Sequence, residues 1–150
     1  DTVSHPKLLT KLQSCGITGD LLSVIKDFLL NRSQRTRVGC QLSNQKFLTS
    51  GVVQGSCLGP LLFLLFINDI STIFQNPITS KLYADDLKLY TTTETIHDSQ
   101  QLQYCLDSLH QWSQDWQLTI SIKMPNYPDR KPSASIKTSA RTICSRVSYW

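Results

Sequence analysis

The sequence predicts an α+β fold in which short antiparallel strands accompany several helices. Three segments repeat apolar residues at helical spacing, and a fourth is a continuous apolar run that follows a proline. Other short, strand-like segments are joined in pairs by two-residue turns, a pattern typical of hairpins. With 40% hydrophobic and 17% charged residues, the 150-residue chain has enough apolar side chains to fill the core of one domain.

Two predicted helices open the chain. The first lies within residues 4–16, where Pro6 suits a first helical position and Gly16 suits the end. The second lies within residues 18–32. Its apolar face repeats at the helical period and comprises Leu21, Leu22, Ile25, Phe28 and Leu29.

The third and fourth predicted helices lie in the middle of the chain. Residues 60–74 form a buried helix that begins at Pro60. Its unbroken apolar run, residues 61–67, is far shorter than the ~20 residues that cross a bilayer, so we expect no membrane span. Residues 95–116 form an amphipathic helix. Its expected core anchors are Ile96, Leu102, Leu106, Leu109 and Trp112.

Strands fill the remaining intervals. Residues 34–42 and 45–50 are predicted as two strands joined by a turn at Ser43 and Asn44. Residues 80–90 are predicted as a strand, a tight turn and a second strand, and residues 117–123 as a final strand.

The sequence changes character after Lys123. The following segment contains three prolines and many Ser and Thr residues, with little periodicity. We therefore predict a domain of residues 1–124 and a divergent, poorly ordered tail of residues 125–150.

Charge is unevenly distributed along the chain. Residues 1–122 carry nine Lys/Arg and ten Asp/Glu, whereas residues 123–150 carry six Lys/Arg and one Asp. The net charge of +4 therefore arises in the tail. Any nucleic-acid binding by the domain must rest on local basic patches rather than on the overall charge.

The cysteine pattern favours reduced thiols. The five cysteines are an odd number and lack the close spacing of zinc ligands, and no secretory signal peptide opens the sequence. We expect a protein of the nucleus or cytoplasm, neither secreted nor transmembrane, whose cysteines are mostly small core residues.

Two adjacent acids, Asp85 and Asp86, interrupt the apolar segment 82–90. Asp is common in turns, so a solvated turn is one interpretation. However, two carboxylates ~4 Å apart repel by about 4 kcal/mol at an effective dielectric of about 20, so a half-buried pair needs a proton or a cation. Mg²⁺ takes such oxygen ligands together with water and substrate phosphates. A pair of these ions stabilises both the attacking and the leaving oxygen of a phosphoryl displacement.

A glycine-containing loop precedes the third helix. Gly51, Gly55 and Gly59 lead to Pro60, without the Gly-Lys-Ser/Thr ending of a Walker A loop. Ordinary helix capping is one interpretation. The other is close approach of the backbone to a ligand, since glycine permits such contact and a helix N-terminus favours phosphate.

Together, in this order, the two motifs resemble the reverse transcriptase domain of non-LTR (LINE-type) retrotransposons, most of all its jockey-like group. The segment YADD, residues 83–86, resembles the family's catalytic hairpin. The segment GVVQGSCLGPLLFLLFINDI, residues 51–70, resembles its primer–template loop and helix. The resemblance covers residues 1 to about 124 and ends with WSQDWQLTISIK, in which Lys123 matches the family's palm lysine.

The resemblance implies a polymerase palm, an antiparallel sheet backed by helices, in a fragment that lacks fingers and thumb. It implies synthesis of DNA on an RNA template, from a DNA primer and deoxynucleoside triphosphates, with Mg²⁺ or Mn²⁺ as cofactor. Asp85 and Asp86 would be the catalytic, metal-binding acids. The residues implied at the nucleotide and template are Gln54, Gly55, Tyr83 and Lys123.

Basic and aromatic residues offer less specific nucleic-acid contacts. Arg32, Arg35 and Arg37 are candidates for phosphate contacts, but a solvated strand face explains them equally well. Trp112 and Trp116 are candidates for base stacking, but their helical spacing favours the core.

Departures from the family pattern bear on activity. The family's first metal-binding Asp lies upstream of the position that Asp1 matches, so Asp1 is not that acid. Val53 stands where the family usually has Pro, and Ser121 where it usually has Asn. We therefore expect an enzyme fragment that is inactive alone. The alternative is a non-catalytic pseudogene remnant or a nucleic-acid-binding module that keeps only the palm fold.

Overall fold

The structure is a computed structural model that describes residues 2–74, 76–92, 95–123 and 140–147. Helices and small antiparallel sheets alternate along the chain, which confirms the predicted α+β class. The chain divides into two compact units, Asp1–Ile67 and Asn68–Trp150. The predicted boundary at residue 124 concerns where the family pattern ends, and it stays a prediction.

Three helices build the core of the N-terminal unit: α1 (His5–Ser14), α2 (Gly19–Leu29) and α3 (Leu58–Ile67). α1 contacts both α2 and α3. The ammonium group of Lys11, a buried residue of α1, donates to the Phe66 carbonyl and lies 4.7 Å from the centre of the Phe66 ring. The large apolar side chains that this unit buries most completely are Leu8, Leu12, Leu29, Leu62, Phe66 and Ile67.

α3 begins and ends earlier than predicted. The Ser56 hydroxyl accepts a hydrogen bond of 3.0 Å from the Gly59 amide, which caps the first turn and starts the helix before Pro60. Beyond Ile67 the chain tightens into a 3₁₀ helix, Asn68–Ile73. There the Ser71 and Thr72 hydroxyls donate to carbonyls three residues earlier, at 3.0 and 2.6 Å. Such local bonds compete with the α-helical pattern.

A two-stranded hairpin, residues 33–47, follows α2, and we call it the ribbon. Its outer strands β1 and β4 pair with each other, as do its inner strands β2 and β3, all antiparallel. The strands are β1 (Ser33–Gln34), β2 (Arg37–Val38), β3 (Gln41–Leu42) and β4 (Lys46–Phe47).

The predicted ribbon turn at Ser43 and Asn44 is wrong. The chain turns at Gly39 and Cys40, where Gly39 adopts φ +59°, a conformation that glycine takes without steric cost. Ser43 instead exchanges two 2.9 Å hydrogen bonds with Thr36. Between β1 and β2 the chain has two residues, 35 and 36, and the opposite strand has three, 43–45. The extra residue makes a β-bulge.

The C-terminal unit contains a four-stranded antiparallel sheet in the order β5-β6-β8-β7. Its helix α4 (Ile96–Trp116) contacts the 3₁₀ helix, which in turn contacts β5. The strands are β5 (Thr79–Tyr83), β6 (Asp86–Thr92), β7 (Ile120–Lys123) and β8 (Ala140–Val147).

A capping box starts α4, since Thr95 and Asp98 each accept a hydrogen bond from the other's backbone amide. The predicted anchors Leu102, Leu109 and Trp112 are buried. Ile96 is exposed, so its predicted role as an anchor is wrong. Leu21, on the predicted apolar face of α2, is exposed as well. Both residues lie in the first turn of their helices. None of the described helices has the length and apolar content needed to cross a membrane.

The prediction that the cysteines are mostly core residues is wrong for three of them. Cys15, Cys40 and Cys57 are exposed and Cys105 is buried, and all four are free thiols. Burial raises the pKa of the Cys105 thiol.

β8 lies in the segment predicted as a poorly ordered tail. It pairs along its whole length, with β6 on one side and β7 on the other. Within the predicted tail the structure therefore describes a strand of 8 residues, and the prediction of poor order for residues 125–150 as a whole stays a prediction. Residues 124–139 and 148–150 lie outside the described part of the chain.

Candidate functional site

The hairpin of β5 and β6 carries the two predicted acids at its tip. Tyr83 pairs with Asp86, so the turn consists of Ala84 and Asp85, and Asp86 begins β6. Ala84 adopts φ +49°, which is uncommon for a residue with a side chain. The sequence predicted the hairpin correctly but placed both acids in its turn.

The two faces of this hairpin differ in burial. Leu87 and Leu89 are almost fully buried, whereas Lys88 between them is exposed. Asp86 shares the face of Lys88, because alternate residues of a strand point the same way. Asp85 and Asp86 are both partly buried. One buried face therefore fixes the strand that presents Asp86 on the other.

The open face also carries an exposed aromatic residue and lysines. Tyr83, opposite Asp86 in the ladder, is 85% exposed. Lys81 lies directly opposite Lys88, a like-charge pair of the kind that destabilises a sheet. The backbone of Lys123 in β7 reaches the same rung through β8, since Cys144 pairs with both Lys88 and Lys123.

The glycine loop belongs to the N-terminal unit and is tied to the start of the chain. The Gly51 amide donates to the Val3 carbonyl at 2.7 Å, and the buried His5 donates through Nε2 to the Gly51 carbonyl at 2.6 Å. Sequence reasoning missed His5, because its partner lies 46 residues away and no local pattern signals the contact. Gln54 and Gly55 beyond this anchor are exposed.

Close packing against the Val53 carbonyl requires a glycine at position 59. A Cβ atom at this position would lie 2.6 Å from the Val53 carbonyl oxygen. The Ser56 hydroxyl, which caps α3, donates to that same oxygen at 2.6 Å. Ser56 and Gly59 therefore serve to start α3, as the helix-capping interpretation predicts. Gln54 and Gly55 are exposed, so they remain the candidates for contact with a ligand.

A cavity of about 380 Å³ brings two predicted residues together in this unit, Arg32 and Gln54. The Arg32 side chain donates to the Phe28 carbonyl and lies 4.6 Å from the centre of the Phe28 ring. It therefore both closes the end of α2 and offers positive charge to the cavity. The lining is completed by His5, Leu29, Gln34, Leu48 and residues 50–53.

Arg35 and Arg37 lie on the exposed ribbon. Arg35 donates to the Gln45 side chain at 3.3 Å, and Arg37 to the Gly39 carbonyl at 3.0 Å. Trp112 is buried, as its helical spacing predicts, and Trp116 is partly buried.

A larger cavity of about 670 Å³ in the C-terminal unit contains none of the predicted site residues. It lies between α4 and the segment before β5, and its walls include Pro77, Ile78, His97 and Tyr104. The predicted chemistry requires paired carboxylates, which the hairpin supplies and the lining of this cavity does not.

The donor set at the hairpin consists of two carboxylates. Within the described residues, no group of three or more His, Cys, Asp or Glu side chains is arranged to hold a metal ion. Asp85 and Asp86 belong to the C-terminal unit, whereas Gln54 and Gly55 belong to the N-terminal unit. Two carboxylates can hold a Mg²⁺ ion that takes its other ligands from water and substrate phosphates.

Known proteins resemble the chain over most of its length. The family model of Reverse transcriptase (RNA-dependent DNA polymerase) matches residues 1–123. The RNA-directed DNA polymerase from mobile element jockey of Drosophila funebris is 35% identical over 131 residues, and that of Drosophila melanogaster is 33% identical over 128. The probable RNA-directed DNA polymerase from transposon BS of Drosophila melanogaster is 30% identical over 128 residues.

Each of these three alignments covers 81% of this chain and 14% of the relative, so the chain spans about one seventh of their length. No solved structure matches the chain significantly. The family match includes both the acidic hairpin and the glycine loop. The chain therefore belongs to the reverse transcriptase (RNA-dependent DNA polymerase) family, in its non-LTR retrotransposon branch.

Proposed function

We propose that this chain forms the palm of an RNA-directed DNA polymerase, in which Asp85 and Asp86 hold Mg²⁺ or Mn²⁺ for nucleotidyl transfer. The hairpin carries the proposal, because it presents two carboxylates at a tight turn whose strand is anchored by buried leucines. The substrates would be an RNA template, a DNA primer and deoxynucleoside triphosphates, in keeping with the names of the jockey relatives.

The hairpin's contribution is to position charge. When bound, the metal neutralises the attacking and leaving oxygens of the phosphoryl displacement. The Tyr83–Asp86 pair fixes the backbone at the start of β6 and closes the turn that contains Asp85, which would place the two carboxylates side by side for the metal. Phosphoryl transfer depends mainly on such positioning and charge neutralisation.

The other predicted residues would bind substrate. Tyr83 is an exposed ring beside the acids, suited to contact the primer end. Lys81 and Lys88 share its face, so this face would offer cations to phosphates. The backbone of Lys123 lies on the rung of Lys88. Gln54 and Gly55 would line the template and nucleotide side, with Arg32 at the adjoining cavity.

A metal titration tests the site. We expect weak binding of Mg²⁺ or Mn²⁺, seen as NMR shifts at the amides of residues 83–87 and lost in Asp85→Asn. Asp107→Asn is the matched control, since it removes one carboxylate from the exposed surface of α4. Saturable binding that survives Asp85→Asn would place the metal elsewhere.

We also propose that residues 1–150 alone do not extend a primer. The described residues offer the hairpin acids no third ligand in a metal-binding group. Positioning alone can supply roughly 7–11 kcal/mol of barrier reduction and metal charge several more, so an incomplete site loses detectable turnover. Mg²⁺-dependent primer extension by this chain, abolished by Asp85→Ala, would contradict this proposal.

A nucleic-acid-binding module without catalysis is the alternative function, and the same two-carboxylate donor set favours it. A longer chain that restores the upstream sequence and the remaining polymerase subdomains separates the two. Extension by that chain, lost on Asp85→Ala, supports the polymerase. Template binding without extension, unchanged by Asp85→Ala, supports the module.

A further inference from the structure

The ribbon carries an exposed aromatic and basic face that the polymerase site does not use. We propose that this face binds single-stranded nucleic acid, with Phe47 stacking on a base and with Arg35 and Arg37 contacting the flanking phosphates. The proposal deepens the proposed function and rests on it for the class of partner. Its residues belong to the N-terminal unit, whereas the hairpin acids belong to the C-terminal unit.

Strand register places these side chains on one face. Ser33 lies directly opposite Phe47, and residues directly opposite each other share a face. The Gln45 side chain donates to Ser33 Oγ at 2.7 Å and accepts from Arg35 at 3.3 Å, which joins Arg35 to that face.

Alternation extends the face toward the ribbon's turn. Arg37 lies two residues beyond Arg35, and Leu42 lies opposite Arg37. The bulge before β4 absorbs the extra residue, so the alternation continues past it. We call the set the stacking face: Ser33, Arg35, Arg37, Leu42, Gln45 and Phe47.

The stacking face is not part of the core. Phe47 is 68% exposed and Leu42 is 59% exposed, and every residue of the ribbon is exposed. A large aromatic side chain gains little folding free energy when it stays in water, since the hydrophobic contribution scales with the area buried. The exposed Phe47 ring is therefore accessible to a binding partner.

The positive charge of the ribbon indicates which kind of molecule binds the stacking face. Residues 28–68 contain four Lys/Arg and no Asp or Glu, so no acid of this segment offsets the ribbon's arginines. This favours a polyanion and opposes a second copy of the same basic ribbon. Single strands are favoured over duplexes because their bases are free to stack on an aromatic ring.

Oligonucleotide binding by the full 150-residue chain, with EDTA present, tests the aromatic contact. Fluorescence anisotropy of a labelled oligoadenylate should show that Phe47→Leu weakens binding by at least about fivefold. Phe47→Trp should keep or strengthen it. Tyr104→Leu, which removes an exposed ring from α4, should leave binding unchanged. Moderate salt suppresses background binding by the basic residues beyond Lys123.

The salt dependence tests the phosphate contacts. Each of Arg35→Gln and Arg37→Gln should reduce the slope of log affinity against log salt by about 0.7. Lys26→Gln, an equal change of charge on the exposed surface of α2, should leave the slope unchanged. A duplex of the same sequence should bind without dependence on Phe47.

Three results would overturn the proposal. The first is oligoadenylate affinity that does not change in Phe47→Leu. The second is an equal loss in the Tyr104 and Lys26 controls. The third is self-association abolished by Phe47→Leu while oligonucleotide affinity stays the same. Because EDTA removes divalent ions, oligoadenylate affinity is measured without the metal site, so failure of this proposal and failure of the metal site are distinguishable.

Discussion

The hairpin of β5 and β6 and the ribbon close in the same way but bury different amounts of side chain. Each has a two-residue turn whose first residue has positive φ, +59° at Gly39 and +49° at Ala84. In β6 alternate residues are buried, whereas every residue of the ribbon is exposed. A favourable turn therefore closes a hairpin, but burial of one face is what makes it a rigid support for chemistry.

The same difference explains which hairpin tolerates backbone strain. Positive φ costs a residue with a side chain about 1 kcal/mol or more, and such a conformation persists only where surrounding structure enforces it. The buried leucines of β6 supply that enforcement beside Asp85. The ribbon has no buried face, and its turn uses glycine.

The largest expected effect comes from removing β8. Deleting residues 140–150 takes away the strand that pairs with both β6 and β7, so we expect a loss of about 4 kcal/mol or more, at about 1 kcal/mol net for each ladder hydrogen bond. Chemical denaturation of the full and shortened chains measures the loss. Deleting only residues 148–150 is the control. An unchanged denaturation midpoint after the longer deletion would show that β8 contributes little to stability.

Truncating one leucine in each hairpin tests how much burial contributes to stability. Leu87→Ala should destabilise by about 2–5 kcal/mol, because Leu87 is 0% exposed and its truncation leaves a cavity. Leu42→Ala in the ribbon should change stability by less than about 0.5 kcal/mol. Urea denaturation of both variants gives the comparison, and equal effects would show that the ribbon packs against something in solution.

These two hairpins also show how far the sequence predicts the structure. The segment 80–90 alternates apolar and polar residues, so its strands and turn could be located to within two residues. The ribbon lacks such alternation, and Ser43-Asn44 has better turn chemistry than Gly39-Cys40 by composition alone. Only the pairing of Thr36 with Ser43 shows why the turn falls earlier.

The site residues differ in how far the sequence signals them. The acids and the glycine loop carry local motifs, so the sequence singles them out, and their roles stay predictions. The His5–Gly51 contact joins residues 46 apart, and no local motif signals it. β8 was missed because neither apolar periodicity nor turn residues mark it, and its strand is defined by pairing with β6 and β7.

Exchanging the turn residues should give smaller effects of opposite sign. Ala84→Gly should stabilise by about 1 kcal/mol, because glycine adopts φ +49° without steric cost. Gly39→Ala should destabilise by about 1–2 kcal/mol, through backbone strain alone, since an added Cβ meets no atom within 4 Å. Thermal denaturation measures both. Destabilisation by Ala84→Gly would mean that the Ala84 methyl group makes contacts that outweigh the strain.

The smallest expected effect on stability comes from removing a lysine charge, and it should differ between the two hairpins. Lys81 and Lys88 lie directly opposite each other on the open face beside Asp86, whereas Lys46 of the ribbon lies opposite the neutral Gln34. Lys81→Gln should therefore raise stability by up to about 0.5 kcal/mol at low salt, while Lys46→Gln should leave it unchanged.

The gain from Lys81→Gln should vanish at 1 M salt, where the screening length falls to about 3 Å. If the lysines face phosphates, the same substitution should weaken binding of a primer–template duplex, so stability and affinity would move in opposite directions. A chain in which Lys81→Gln lowers both would show that Lys81 has a structural partner, and the open face would lose its role in holding phosphate.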